Sequence, residues 1–326
     1  MSHHRHPCRI VGRIAPLAAL LTFLTTGAVS AAVPVVVTDI APVQSLVARV
    51  MDGLGEPAVL LPPGASPHDY TLRPSQATAL AHAELVFRIG PTLSPALEGP
   101  LAALTTKADV VTLLDTPGTV LLPFREGAGF EAHHHHDHTG HDADHDDHDH
   151  AHDGQDEIDP HAWLDPENGR AWLDAIAQAL SRADPEHAAA YAANAAAGQD
   201  EIAALEPQIA ARLAQITPAP FLLLHDSTQY FEARFGLQAA AAISLADGAV
   251  PGPARLLQIR DRITESDARC ALAEPQSDTR LIRTAAGTHA LKIVAMDPLG
   301  AELTPGPAFY AELLHGLAIS FADCLS

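Results

Sequence analysis

The chain has 326 residues, a formal charge of −21, and 47% hydrophobic and 5% aromatic residues. This length accommodates two domains of ordinary size, and the hydrophobic content excludes general disorder. No basic patch relieves the negative charge, which argues against binding to nucleic acid or anionic lipid and favours cations as ligands.

Residues 1–32 are predicted to be a signal peptide. Three arginines precede an apolar run at 14–29, and Ser30-Ala31-Ala32 has the small-x-small pattern of a signal-peptidase site. An N-terminal membrane anchor is the alternative, but the run is short for a membrane span. Cleavage after Ala32 would leave an exported mature chain with a charge of −24.

Residues 33–184 are predicted to form a first α/β lobe. A β-branched strand is followed by an amphipathic helix from about Pro42 to Met51, and a later helix leads into a strand near Leu85–Ile89. Between them, a short apolar run ends in a Pro/Gly/Ser loop that contains His68. Strands that alternate with helices indicate βαβ units and a mostly parallel sheet.

An acidic, histidine-rich segment at about 126–158 interrupts this lobe. Hardly any of its residues can enter a core, so we expect a loop that binds metal weakly and at several places. Its ten histidines are the candidate accessory ligands: His133, His134, His135, His136, His138, His141, His145, His148, His150 and His152. A solvated insertion with no role in metal handling is the alternative.

Helical sequence follows the acidic segment. Asp165 is predicted to cap a helix that begins at Pro166. The stretch 185–216 is so rich in Ala, Glu, Gln and Leu that it predicts one long helix. At about 1.5 Å per residue this helix would exceed 40 Å, which suits a rigid connection between two lobes.

Residues 217–326 are predicted to form a second α/β lobe. Strands are expected at Phe221–Leu224, through Cys270–Ala273 and at Ile293–Met296, with a helix from about Pro253 to Ser266. An amphipathic helix closes the chain at about 308–325.

Cys270 and Cys324 are the two cysteines that remain after signal cleavage. In an oxidising compartment the simplest interpretation is a disulfide, which would contribute roughly 4 kcal/mol by closing a loop of about 55 residues. A reactive thiol or a thiolate ligand is the alternative, although neither cysteine lies in a CxxC motif.

Three polar residues lie where ligands usually bind in α/β proteins. His225 and Asp297 directly follow predicted strands, and His68 follows one by a short loop. Ligands of open α/β sheets bind at the carboxyl ends of the strands. No local spacing rule brings these residues together with His161, and a hydrogen-bonded structural histidine is the plainer interpretation of each. The other four histidines outside the signal and the loop are interpreted as surface or packing residues: His82, His187, His289 and His315.

Five motifs, in order, resemble the periplasmic zinc-binding proteins of ABC-type zinc importers, the ZnuA-like cluster A-I solute-binding family. They are LLPPGASPHDYTLRPS, DPHAWLDP, LLLHDSTQYFEARFGL, CALAEPQ and MDPLG, and the similarity runs from about Val33 to the C-terminus. The resemblance implies two α/β lobes joined by one long helix, with the metal held between them. It also implies a monomer that passes Zn²⁺ to a membrane permease, and it matches a disulfide between Cys270 and Cys324.

Carried over from the family, the zinc ligands are His68, His161, His225 and Asp297. Three imidazoles and one carboxylate suit four-coordinate Zn²⁺, whereas manganese or iron sites are expected to use more oxygen ligands. One departure is Pro67, because some members have a glutamate immediately before the first histidine; a ligand role for that glutamate cannot be transferred.

Three other functions stay open at this point. The chain could be a manganese or iron receptor of the same family, a periplasmic zinc buffer that uses only the acidic loop, or a zinc hydrolase. Four protein ligands would leave no position for an activated water, and the chain contains no HExxH, GxSxG or P-loop motif, so an enzyme is not expected.

Overall fold

The computed structural model describes residues 1–4, 32–125, 130, 158–217, 219–245 and 251–326. Residues Val33–Ser326 form one compact unit and Met1–Ala32 another. The predicted signal peptide and the ten loop histidines therefore fall mostly or wholly outside the described residues. Within the described residues, no helix is both long and apolar enough to cross a membrane.

The first lobe is built on four parallel strands in the order β2-β1-β3-β4. Its strands are β1 (Val36–Thr38), β2 (Ala58–Val59), β3 (Leu85–Arg88) and β4 (Asp109–Thr112). Its helices are α1 (Ala41–Val50), α2 (Pro74–His82), α3 (Glu98–Leu104) and α4 (Pro166–Ala183). The register pairs Val37 of β1 with Val86 of β3. Parallel pairing of this kind confirms the predicted βαβ organisation.

A helical stretch of 29 residues follows the first lobe. It consists of a 3₁₀ turn at Pro185–His187 and α5 (Ala188–Leu213), which continues through both Gly198 and Pro207. Gly198 permits close packing, because a Cβ there would lie 3.0 Å from side-chain carbons of Arg49 and Leu173. The long helix predicted from the alanine-rich composition is confirmed.

The second lobe repeats the plan, with four parallel strands in the order β6-β5-β7-β8. Its strands are β5 (Phe221–His225), β6 (Ala241–Ser244), β7 (Cys270–Ala273) and β8 (Lys292–Ala295). Its helices are α6 (Gln229–Phe235), α7 (Pro253–Ser266), α8 (Arg280–Ala286) and α9 (Phe309–Leu325). The two-lobed α/β fold predicted from the sequence is confirmed; the exact boundaries at 184/185 and 216/217 stay a prediction.

Strand β5 of the second sheet is buried on both faces. Phe221 and Leu223 belong to the core cluster that extends through both lobes, whereas Leu222 and Leu224 belong to a second cluster on the opposite face. Alternating side chains of a parallel strand covered on both sides produce such a continuous apolar run. Each of these burials contributes about 1.5–3 kcal/mol.

Helix α9 closes the fold by packing against α5 and α1 as well as against β7 and β8. The disulfide between Cys270 of β7 and Cys324 of α9, with a Cα–Cα distance of 5.5 Å, fastens this helix to the second sheet. The predicted pairing of the two cysteines is confirmed.

Candidate metal centre

Three of the predicted ligands meet between the lobes. His68 lies in the loop after β2, where Pro62-Pro63-Gly64 turns the chain and Gly64 has a φ of +75°. His161 immediately precedes a 3₁₀ turn at Ala162–Leu164, and His225 is the last residue of β5. Each is therefore held by an element end or a tight turn, so the chain directs all three imidazoles to the same cleft.

The three imidazoles are in mutual contact. Ring centroids are 5.4 Å apart for His68 and His161, 5.5 Å for His68 and His225, and 5.1 Å for His161 and His225. One possible ligand atom from each residue lies within 4.8 Å of the others. His161 and His225 are buried, at 2% and 6% exposure, and His68 is half-buried. A single ion between the rings could contact all three nitrogens.

A buried carboxylate orients His161. The Asp159 side chain accepts hydrogen bonds through Oδ1 from both the backbone N–H (2.9 Å) and the ring Nδ1 (2.7 Å) of His161. An ionised carboxylate only accepts hydrogen bonds, so the ring proton is assigned to Nδ1. Nε2 is then the nitrogen of His161 that can bind a metal.

His225 has the same arrangement on the other side of the cleft. Its Nδ1 contacts Oε1 of Glu274 at 3.1 Å, and Glu274 is 5% exposed. Glu274 follows β7 directly, at the carboxyl end that also carries His225 on the neighbouring strand. Sequence reasoning assigned no role to Glu274 or Asp159, although the strand-end position of Glu274 was a usable signal.

The structure does not bring Asp297 to the histidine cluster. Its Oδ1 accepts the backbone N–H groups of Leu299 and Gly300 at 3.0 and 2.8 Å, and its Oδ2 accepts that of Ala301 at 2.6 Å. Both oxygens are thus used to cap the turn that follows β8, and Asp297 lines a different surface depression. The carboxylate therefore caps the turn beside the site, and its role as a zinc ligand stays a prediction.

The cavity at the cluster is small. Its volume is about 10 Å³, close to that of a single water-sized sphere. Pro67, Trp163, Pro298 and Leu299 form most of its wall besides the histidines, Ser227 and Glu274. The indole of Trp163 donates to Pro298 O at 2.8 Å, which joins the two lobes directly over the site. A cavity of this size accepts an ion and excludes an organic ligand.

The residues at the borders of the acidic segment lie beside this site. Pro123 forms an antiparallel bridge with Ile158, three residues before His161. Next to the bridge, Arg125 forms ion pairs with Asp226 and with Glu232, the latter at 2.9 Å. Burial would lower the pKa of Arg125, but its hydrogen bonds to these two carboxylates outweigh burial and raise the pKa above its usual value. The segment is therefore anchored to the second lobe at its base.

The other predicted histidines stay outside the cluster. His187 contacts the buried Asp184 through Nδ1 at 2.6 Å, and Asp184 also accepts from the Tyr191 hydroxyl at 2.9 Å. The Nδ1 of His82 lies 2.8 Å from Thr78 O within α2. The structure therefore gives these residues packing and surface roles.

Comparison with known proteins identifies the family. The profile of the family described as "Zinc-uptake complex component A periplasmic" (ZnuA) matches residues 36–324. The chain is 45% identical over 316 residues to the High-affinity zinc uptake system protein ZnuA of Paracoccus denitrificans (strain Pd 1222), covering 90% of this chain and 93% of that protein. It is 41% identical over 305 residues to the protein of the same name from Brucella suis biovar 1 (strain 1330), covering 89% and 91%.

Solved structures agree on the fold. A crystal structure of ZnuA aligns with a TM-score of 0.71 at 22% identity, covering 89% of this chain and 98% of that chain. A Mn-bound periplasmic metal binding protein from candidatus Liberibacter asiaticus aligns with a TM-score of 0.69 at 17% identity, covering 90% and 100%. On the family match over residues 36–324, the chain belongs to the ZnuA family of periplasmic zinc-uptake components.

Proposed function

We propose that this protein captures Zn²⁺ outside the cytoplasm through His68, His161 and His225 and delivers it to the permease of an ABC importer. The observation that carries the proposal is the convergence of three imidazole nitrogens within 4.8 Å of one another in an ion-sized cavity. The relatives named as zinc uptake proteins support zinc as the cargo. The signal peptide predicted at residues 1–32 would direct export and then be cleaved, and the lobes predicted at 33–184 and 217–326 would each supply part of the site.

The donor set favours zinc over manganese or iron. Neutral imidazole nitrogens suit Zn²⁺, and Mn²⁺ prefers carboxylate, carbonyl and water oxygens. Asp297 accepts three backbone N–H groups of the turn after β8 and is not one of the three clustered residues. We therefore propose three histidines as the protein ligands, with Asp297 holding the adjacent loop.

A zinc hydrolase is the second class of function. Three protein ligands leave a fourth position open, which is typical of catalytic zinc sites, so the number of ligands no longer argues against hydrolysis. The volume of the cavity still argues against hydrolysis, because about 10 Å³ leaves no room for a substrate beside the ion. Zinc-loaded protein should not turn over ester or amide substrates; measurable turnover that His161→Ala abolishes would support the enzyme instead.

We further propose that the acidic segment gathers zinc for the tight site. Most of the segment lies outside the described residues; its composition predicts a random-coil chain, and about 25 such residues span roughly 25–30 Å, which would give the imidazoles a millimolar effective concentration at the cleft. Both ends of the segment lie close to His161 and His225 in sequence or in space, which supports this role. From the composition we expect ligands that are not pre-organised and ions that exchange easily.

Zinc titration with a competing chelator tests the division of labour. Deletion of residues 131–156 should lower the number of zinc ions bound and spare one tight site. Replacement of His68, His161 and His225 by alanine should remove that tight site, while His82→Ala, outside the cluster, should leave it unchanged. Tight binding that survives the triple replacement would identify the protein as a buffer that uses the segment alone.

Competition between metals and a transport assay complete the test. Binding of Mn²⁺ tighter than Zn²⁺ by the deletion variant would overturn the choice of cargo. Delivery is measured as zinc-dependent ATP hydrolysis by a reconstituted importer, which wild-type protein should stimulate and the triple variant should not.

A further inference from the structure

Two carboxylates stand directly behind the histidine cluster. Asp159 contacts the Nδ1 of His161 at 2.7 Å, and Glu274 contacts the Nδ1 of His225 at 3.1 Å. They are 1% and 5% exposed, so both are more than nine-tenths buried. We infer that Asp159 and Glu274 are positioning residues for the metal: they hold the two imidazoles with Nε2 toward the cleft and place two negative charges behind the ligands. The inference rests on the proposed zinc site.

The carboxylates determine which nitrogen of each ring is available. A neutral imidazole carries its proton on either nitrogen, and only the other nitrogen has a lone pair for a metal. A carboxylate at Nδ1 stabilises the Nδ1–H form and also stops rotation of the ring. The two rings are thus held in the orientation that metal binding requires.

Asp159 is itself held by groups from both sides of the cleft. Its Oδ1 also accepts the backbone N–H of His161 at 2.9 Å, so one oxygen fixes both the backbone and the ring of the same residue. Its backbone carbonyl accepts the Tyr230 hydroxyl at 2.8 Å, and its backbone N–H donates to Leu122 O at 2.9 Å. Asp159 therefore joins His161, helix α6 and the base of the acidic segment.

Glu274 is held within the second lobe. Its Oε2 accepts the side-chain amide of Gln276 at 3.0 Å, and its Oε1 lies 3.4 Å from the Ser227 hydroxyl. Strands β5 and β7 are neighbours, with Leu223 paired to Leu272, so their carboxyl ends bring His225 and Glu274 side by side. The contact is fixed by the register of the sheet.

The charge of these two groups complements the cargo. Three neutral imidazoles leave the double positive charge of a zinc ion uncompensated in a buried site, which is unfavourable. Asp159 and Glu274 supply two negative charges next to the ligands without becoming ligands. The inner set of donors can then consist of nitrogen, the arrangement that favours zinc over manganese.

Zinc affinity of single variants of the full mature chain tests this role. Asp159→Ala and Glu274→Ala should each weaken zinc binding by about 10- to 100-fold, the range for outer-sphere partners of metal-bound histidines. Asp159→Asn and Glu274→Gln retain an oxygen acceptor and should lose less affinity than the alanine variants. Alanine variants with wild-type affinity, or conservative variants as weak as alanine, would overturn the inference.

A matched control separates positioning from general stability. Asp184 is 3% exposed and makes the same kind of contact with His187, at 2.6 Å, away from the cluster. Asp184→Ala should lower the stability of the protein and leave zinc affinity unchanged. Where Asp159→Ala does not fold, Asp159→Asn and the two Glu274 variants carry the test.

The tautomer provides a readout that a merely structural role would not change. Nitrogen-15 spectra of metal-free protein should show the Nδ1–H form of His161, and Asp159→Ala should shift this residue toward the Nε2–H form. An Nε2–H form in the wild type would contradict the inference. His161→Ala belongs in the same titration: wild-type affinity in that variant would refute the proposed site, whereas a weak His161→Ala beside a tight Asp159→Ala refutes only the positioning role.

Discussion

Gly169 of α4 is a position where one added methyl group should destabilise the fold. A Cβ there would lie 2.5 Å from the hydroxyl oxygen of Tyr310 and 2.8 Å from two of its ring carbons. Ordinary contacts are about 3.5–4.0 Å, so the ring must move by about 1 Å. Tyr310 is 2% exposed and its hydroxyl donates to Trp163 O at 2.7 Å, so it has little freedom to move.

The magnitude for Gly169→Ala follows from three contributions. Overpacking of a filled core costs about 1–3 kcal/mol, and loss of the Tyr310 hydrogen bond costs about 1 kcal/mol. The higher helix propensity of alanine offsets about 1 kcal/mol. We therefore expect the free energy of unfolding to fall by about 1–3 kcal/mol.

Urea unfolding of the metal-free protein measures this change, because bound zinc would add stability of its own. The matched control is Gly316→Ala in α9, where a Cβ would meet nothing within 4 Å. That variant should gain about 0.5–1 kcal/mol from helix propensity alone. Tyr310→Phe removes the atom at 2.5 Å, so the double variant with Gly169→Ala should lose less than the sum of the single changes. A Gly169→Ala protein as stable as Gly316→Ala would refute the reasoning.

Three further predictions concern charge and the disulfide. Arg125→Met leaves two buried carboxylates unpaired and should cost about 3–5 kcal/mol in urea unfolding, whereas Arg280→Met, at an exposed ion pair, should change nothing measurable. Burial raises the pKa of Asp39 to about 6; the folded state thus keeps a proton that the unfolded state releases, and this stability is lost as pH rises through 6. Between pH 5 and 7 the free energy of unfolding of the wild type should fall by about 1 kcal/mol relative to that of Asp39→Asn. Parallel pH profiles of the two unfolding free energies would contradict the raised pKa of Asp39. Replacing Cys270 and Cys324 together by serine should lower the free energy of unfolding by roughly 4 kcal/mol. A wild type whose stability does not change in dithiothreitol would argue against the disulfide.

Much of the fold was predictable because its signals are local. Asp165 caps α4, with its side chain accepting from Glu167 N, as the Asp-Pro pair predicted. The Ala-rich composition predicted α5, and the apolar run Phe221–Leu224 predicted a strand. Each of these signals acts within a few residues of the chain, so no tertiary information was needed to interpret it.

Asp297 shows a choice that sequence position alone does not make. The residue follows a strand, and family resemblance made it a ligand, but its side chain caps the three backbone N–H groups of its own turn. An aspartate that precedes Pro-Leu-Gly has this local alternative, and sequence position alone does not decide between it and a metal.

The sequence by itself predicted most of the strands and helices and the cysteine pair, because periodicity and caps are properties of short segments, and the resemblance of its motifs to a family named the three histidines. Only the tertiary structure decided that His68, His161 and His225 meet, and that Asp159 and Glu274 stand behind two of them. These contacts join residues that are distant in sequence or depend on the direction of one side chain. That direction is fixed by the register of neighbouring strands and by competing hydrogen-bond donors, which become defined only when the two lobes have packed.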